Sequence, residues 1–427
     1  MPESDIHTRR PRLAVKLAVV ACALVFGVLI FELFLRATGY TYPVFYEPDE
    51  SRGWALRPGA EGWYRKEGRA YVRVNEDGLR DREHEKRKPA GVVRVAVLGD
   101  SYAEALQVAR EAAFWAVAEG RLRESCAGLA GREVEFVNFG VSGYGTAQQL
   151  FTLRERAWAY EPDVVLLAVT TNNDVTDNVR ALKGTDEIPY FVLRGDELVL
   201  DDSFRRDRAF RWRQSAPSRA GRWLRERLRF VQAVHEGQVA IKSALAARRE
   251  RKARAAQAEA GKAEAGKAED ARPAAAVAPP PAPAAELGTA NMVYVEPADE
   301  LWRGAWRVTE ALVATMHREV RDGGARFLLV TLSNSIQTHP DPAAREAFAR
   351  RLGVADLFYP ERRFRELGGR EGFPVLNLAP DLQAYAEANR VFLHGFAPDL
   401  GNGHWNETGH RVAGHLLADR LCAELTR

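Results

Sequence analysis

From Val92 onward the chain alternates short apolar runs with amphipathic stretches, and this alternation constrains the fold more than any other feature. The runs at 92–98, 134–138, 164–169, 327–332 and 374–378 have the length of strands and are apolar on both faces. Strands buried on both faces belong in a parallel sheet, because crossover helices cover each side. The pattern therefore predicts an α/β fold, a three-layer α/β/α sandwich around a mostly parallel five-stranded sheet with right-handed crossovers.

More chain separates the third run from the fourth than one crossover needs, so residues 179–299 read as an insertion. Its first part, 190–200, has the pattern of a small hairpin around Arg194-Gly195-Asp196. Its middle, 210–254, is strongly basic and carries Trp223, Leu224, Leu228, Val231 and Val234 at helical spacing. Two readings stay open for that segment: a lid or surface touching anionic lipid, or a solvated basic helix with one face on the domain. Residues 255–287 collapse to Ala, Lys, Glu, Gly and Pro, with Ala-Gly-Lys-Ala-Glu repeated from Ala260 and Ala265, and read as a disordered linker. A helix over 297–321, with Trp302, Trp306, Leu312 and Met316 on one side, returns to the core.

Before the first run lie two further parts. Residues 13–35 are apolar apart from Lys16 and Glu32, long enough to span a bilayer, and preceded by Arg9, Arg10 and Arg12. This reads as a single-pass anchor with residues 1–12 in the cytoplasm and the remainder beyond the membrane, since no small-residue cleavage site follows the apolar run. Val19-Val20-Ala21-Cys22 loosely resembles a lipoprotein box, but its cysteine lies in mid-run. Residues 36–90, with Trp54, Trp63, Tyr64 and Tyr71, read as a stalk or cap on the main domain, which is assigned to 91–178 and 300–427.

Composition narrows the function. The 61 basic and 58 acidic residues nearly cancel, which removes the electrostatic case for nucleic acid. Three cysteines, Cys22, Cys126 and Cys422, lack zinc-site spacing, so neither a metal nor another cofactor is expected.

The residues suited to chemistry lie where the apolar runs end. Gly99-Asp100-Ser101-Tyr102 places a serine between the first strand and a helix start, where unpaired N–H groups favour developing negative charge. Asn138-Phe139-Gly140-Val141-Ser142-Gly143-Tyr144 follows the second strand; such a glycine-rich turn fits either a close approach to an oxyanion or positive φ. The third strand ends in Thr171-Asn172-Asn173-Asp174. Gly401-Asn402-Gly403-His404 lies before an amphipathic C-terminal helix, where an imidazole can reach the same sheet edge and accept a proton.

In this order the four segments resemble the sequence blocks of the GDSL/SGNH hydrolases, over 92–178 and 302–421. The resemblance implies a flavodoxin-like sandwich and a serine esterase. It makes Ser101 the nucleophile, His404 the base, and Ser101 N–H, Gly143 N–H and the Asn173 amide the oxyanion donors, with Asn172 next in register. Two departures stand out. Thr171 occupies the usual glycine of the third block, and Gly401 stands where the family carries an aspartate three residues before the histidine. Asp399, Asn402 or a backbone carbonyl remain open as the group orienting His404.

The expected substrate is an acyl ester of a cell-envelope glycan or lipid, met outside the cytoplasm. An O-acyltransferase of an envelope polysaccharide and a catalytically weak binding protein are the alternatives. In the implied fold Cys126 and Cys422 lie near the far ends of two adjacent helices; a disulfide and two buried thiols both remain open, and Cα atoms more than about 7 Å apart would exclude the bridge.

Overall fold

The computed structural model of the chain describes residues 13–129, 131–245, 248–249 and 288–426. The tail 1–12 and the linker 255–287 lie outside them. Described residues from 13–43 and 216–249 form one compact unit, and those from 44–215 and 288–426 form the other.

The larger unit opens with two antiparallel hairpins, β1 (Tyr46–Asp49) with β2 (Gly53–Leu56) and β3 (Glu61–Tyr64) with β4 (Ala70–Arg73). Then come β5 (Val92–Leu98), β6 (Glu133–Asn138), β7 (Val164–Thr170), a hairpin of β8 (Tyr190–Arg194) and β9 (Glu197–Asp201), β10 (Arg326–Leu332) and β11 (Val375–Asn377). Five of these form one parallel sheet in the order β6-β5-β7-β10-β11. Each strand of this sheet begins and ends within one residue of its apolar run. Runs that are apolar on both faces have few other places to go, because both faces must be covered.

The two faces bury separate cores. Val95, Val97, Leu166, Ala168 and Val330 point to one, together with Phe114, Trp115, Leu417 and Leu421. Ala96, Leu98, Val165, Leu167 and Leu329 point to the other, with Leu150, Trp306, Leu312 and Met316. The alternation along β5 and β7 is the period-two rule acting on strands buried from both sides. Truncating a fully buried residue such as Leu166 to alanine would cost about 2–5 kcal/mol. A third cluster, Phe45, Leu56, Val72, Val74, Leu106, Val141 and Tyr144, seats the amino-terminal hairpins against the loops after β5 and β6.

Helices Phe114–Ser125 and Glu407–Leu425 lie side by side on one face, and a disulfide joins Cys126 to Cys422 with their Cα atoms 5.6 Å apart. The helix Glu300–Asp322 starts three residues later than the sequence pattern suggests, because Asp299 caps it by accepting the Trp302 N–H.

In the smaller unit, the apolar helix Leu13–Ala37 is exposed along most of its length. It is the one helix among the described residues long and apolar enough to cross a bilayer, a test that a signal sequence also passes. The basic part of the insertion is not one helix. It breaks at Ser215 and Leu228 into Arg208–Gln214, Ala216–Arg227 and helical residues 229–245. The last two meet the end of the apolar helix. Glu32 accepts the Phe230 N–H at 2.7 Å, Arg36 donates to the Arg227 carbonyl at 2.6 Å, and Gln232 accepts the Tyr42 N–H at 2.9 Å.

Candidate active site

The strand order reverses direction between β5 and β7, and in open α/β sheets the crevice at the carboxyl ends of such a strand pair is where ligands sit. Ser101 follows β5 at that point, as the first residue of the short helix Ser101–Glu104. Asp100 caps this helix, accepting the Tyr102 N–H at 3.0 Å. Gly99 is required where it stands, because a Cβ there would lie 2.8 Å from the Ala103 side chain. Asp100 also accepts from Thr170 at 3.0 Å and from the Asn173 amide at 3.1 Å. One buried carboxylate thus ties the ends of β5 and β7 together.

His404 lies in the loop before the C-terminal helix, 303 residues from Ser101, and its Nε2 is 2.7 Å from Ser101 Oγ. The loop is fixed from several directions. The His404 carbonyl accepts the Gly395 N–H at 2.8 Å, and the Tyr102 hydroxyl donates to the Gly403 carbonyl at 3.2 Å. Trp405, fully buried, donates its indole N–H to Ser333 at 2.9 Å. Asn406 caps the C-terminal helix through the N–H groups of Thr408 and Gly409.

The other face of the imidazole meets a residue that the sequence motifs do not point to. Glu67, in the turn between β3 and β4, accepts from His404 Nδ1 at 2.5 Å and from the His404 N–H at 2.6 Å. A carboxylate beside Nδ1 makes Nδ1 the protonated nitrogen and leaves Nε2 to accept from Ser101. Burial alone would raise the Glu67 carboxyl, but the hydrogen bonds and charge of His404, with a contribution from Gln107, hold it below its ordinary value.

Asp399 is therefore not the residue that orients His404. Its exposed carboxylate accepts from Asn402 Nδ2 at 2.8 Å, and neither side chain bonds the imidazole. The physical reason is the loop's backbone, which passes through positive φ at Gly401 and Gly403 and turns residues 399–402 outward. Glu67 lies in a charged turn, Arg65 to Arg69, within the segment read from sequence only as a stalk or cap. Nothing local said that its tip reaches a loop 337 residues further on.

The oxyanion candidates occupy the same edge. Gly143 has φ of 79°, so the turn uses positive φ, which is compatible with its N–H serving as an oxyanion donor as well. Asn173 spends one amide hydrogen on Asp100 and retains a second. The neighbouring Asn172 is in the same helix, Thr171–Asp177. Thr171 is fully buried, with its hydroxyl accepting from Asn334 at 3.0 Å, so its side chain does not wall the cleft. The Ser142 hydroxyl is bonded to Glu104 rather than to an imidazole.

Two other histidines nearby are fully buried. His394 and His410 are each pushed down to about 3, first by burial, and stay neutral. Among the described residues no group of three or more His, Cys, Asp or Glu side chains converges as a metal site requires.

Fold and site together define the class: a three-layer α/β sandwich with a hydroxyl, an imidazole and a carboxylate in hydrogen-bonded sequence at the carboxyl edge of its sheet. Such a row can take the proton from a serine hydroxyl as the oxygen attacks a carbonyl. No protein-family model and no curated protein matches the chain. Among solved structures it is similar to an acetyl xylan esterase, at 12% identity and TM-score 0.37 over 77% of this chain and 100% of that one. It is also similar to a structure described as a lipolytic protein of the G-D-S-L family from Desulfitobacterium hafniense, at 11% identity and TM-score 0.33 over 77% and 98%. A third is an acetylxylan esterase from Geobacillus stearothermophilus, at 11% identity and TM-score 0.34 over 78% and 94%.

Proposed function

We propose that the chain is a serine-dependent ester hydrolase of the GDSL/SGNH type, acting outside the cytoplasm on acyl esters of cell-envelope glycans or lipids. The observation that carries the reading is the unbroken row from Ser101 Oγ to His404 Nε2 at 2.7 Å and from His404 Nδ1 to Glu67 at 2.5 Å.

In this mechanism Ser101 Oγ attacks the ester carbonyl while its proton passes to His404 Nε2. Glu67 keeps Nδ1 protonated and stabilises the imidazolium. The tetrahedral oxyanion lies against the N–H groups of Ser101 and Gly143 and the free amide hydrogen of Asn173, and each such donor is worth about 2.7–4 kcal/mol of barrier. His404 returns the proton to the leaving alcohol. Water then repeats the attack on the acyl-enzyme, with the same imidazole as base.

The test compares the parent with Ser101→Ala on p-nitrophenyl acetate and with a fluorophosphonate probe. Hydrolysis and labelling are expected in the parent and absent in the variant; an alanine variant running at the parent rate would reject the assignment. Transfer to a polysaccharide hydroxyl would use the same residues, so product analysis with an acetylated donor and a glycan acceptor separates transferase from hydrolase. The binding-protein alternative drew its force from the missing aspartate, and Glu67 supplies a carboxylate at that place.

The apolar helix Leu13–Ala37 with its basic flank supports a retained anchor with the larger unit on the far side. The Cys126–Cys422 bridge supports the same side, since structural disulfides persist in oxidising compartments. Protease added to intact cells with a permeabilised outer layer should degrade the larger unit; protection until the inner membrane is breached would reverse the topology.

A further inference from the structure

Ser142, the residue before Gly143, is held on both sides. On one side Trp54, in β2, donates its indole N–H to the Ser142 carbonyl at 3.1 Å. On the other, Glu104 accepts the Ser142 N–H at 2.9 Å, and the Ser142 hydroxyl donates to the same carboxylate oxygen. Glu104 belongs to the short helix that begins at Ser101, is fully buried, and is itself held by the Tyr46 hydroxyl at 2.9 Å. The Trp54 ring also lies against the loop, where a Cβ on Gly143 would be 3.1 Å from its Cζ2. Two residues of the amino-terminal hairpin β1–β2 therefore reach the segment that carries a candidate oxyanion donor.

The geometry of a trans peptide turns this grip into a direction. Its C=O and N–H point to opposite sides of the chain in one plane. The Ser142 carbonyl and the Gly143 N–H belong to the same peptide, so anchoring the first on the indole N–H aims the second the opposite way. Gly143 has positive φ and no side chain, and without that anchor little in its own backbone would select one peptide orientation over its flip. Lys183 fixes only the next peptide, donating to the Gly143 carbonyl at 3.2 Å.

We propose that Trp54 is a positioning residue for ester hydrolysis: its indole N–H, by holding the Ser142 carbonyl, orients the Gly143 N–H toward the oxyanion. The inference rests on the serine hydrolase reading above and adds to it that the amino-terminal hairpin sets part of the oxyanion hole. A donor that is aimed rather than merely present acts on the transition state and leaves ground-state binding alone.

The experiment uses the full chain with Trp54→Phe, which keeps an aromatic ring and removes the N–H. Kinetics on p-nitrophenyl acetate are paired with inhibition by phenylboronic acid, whose tetrahedral adduct with a serine places an oxygen in the oxyanion hole. The expected result is a kcat lower by roughly 10- to 100-fold, less than or comparable to loss of a whole donor. KM should stay within about twofold and boronate affinity should fall in parallel with kcat/KM. A variant that binds the boronate as the parent does, or loses activity through KM alone, overturns the proposal. Should phenylalanine fail to hold the packing, the benzothienyl analogue of tryptophan at position 54 keeps the bicyclic ring and lacks only the N–H, and the same criteria apply. Full activity in Ser101→Ala would instead sink the underlying hydrolase reading, whatever Trp54 does.

Discussion

Glu67 holds His404 twice, once at the imidazole Nδ1 and once at the backbone N–H of the same residue. Both contacts need an acceptor, and a carboxylate provides two. A glutamine offers one acceptor and one donor, so it can satisfy only one of the two groups and must confront the other with its own N–H. Glu67→Gln should therefore lower kcat on p-nitrophenyl acetate by roughly 100- to 10,000-fold, as expected when the tautomer of a catalytic imidazole is no longer fixed. Asp399→Asn, whose contact is with exposed Asn402, should stay within about twofold of the parent. Equal effects of the two substitutions would remove Glu67 from its role.

Glu104 makes a prediction about pH. Burial pushes its carboxyl up to about 7 from an ordinary 4.5, against the opposing hydrogen bonds of Ser142 and Tyr46 and the charge of Arg80. The folded chain thus binds this proton more tightly than the unfolded chain does. Its contribution is fully present below about 4.5 and is lost as pH rises through about 7, with a total on the order of 3 kcal/mol. Glu361, Asp174 and Asp177 are raised by burial as well, so the parent keeps a slope of the same sign from those groups. Glu104→Gln removes one titration and keeps an acceptor for Ser142. His394 and His410, held neutral by burial, contribute the opposite slope below about 6.5, so the reading is the difference between the two proteins. In thermal melts between pH 4.5 and 8 the variant should fall less, or rise more, than the parent, and parallel curves would contradict the assignment.

How much of this could be read from the chain alone differs from part to part, for physical reasons. Strands β5, β6, β7, β10 and β11 were legible because a strand covered on both sides has to be apolar throughout, a signal carried by consecutive residues. Ser101, Gly143, Asn173 and His404 could be named as candidates because each lies at a strand end or before a helix, in a segment that resembles a block of the GDSL/SGNH hydrolases. Glu67, Trp54 and Tyr46 were not legible, since they act through the tips and edges of short hairpins whose docking is set by tertiary packing on Val141, Tyr144 and Leu106. The basic insertion is helical as its spacing suggests, but its breaks were not legible, because the apolar period from Trp223 to Val234 runs through Leu228 although the backbone is interrupted there.

The bridge between Cys126 and Cys422 closes a loop of 296 residues and ties the helix after β5 to the helix after His404. Cross-links over long loops restrict the unfolded chain, and removal of such a bridge typically costs about 2–5 kcal/mol. Reduction, or Cys126→Ser with Cys422→Ser, should lower Tm by several degrees while leaving KM and kcat at 25 °C close to the parent, because the cysteines lie at the helix ends remote from the site. A Tm insensitive to reductant would mean that the two thiols are unbridged in the isolated protein.

Gly403, immediately before His404, offers a test of the same carboxylate from the opposite partner. Its φ is 76°, and a Cβ built on it would stand 2.2 Å from Glu67 Oε1, the oxygen that accepts the His404 N–H. Alanine there would carry a left-handed backbone cost of about 1–2 kcal/mol and would also drive the carboxylate away from the loop. Gly403→Ala should therefore resemble Glu67→Gln in lowering kcat, with a modest loss of Tm. Since both substitutions break one contact, the double variant should be scarcely slower than the worse single one. Effects that multiply in the double variant would show that Gly403 serves the loop for some reason other than room for Glu67.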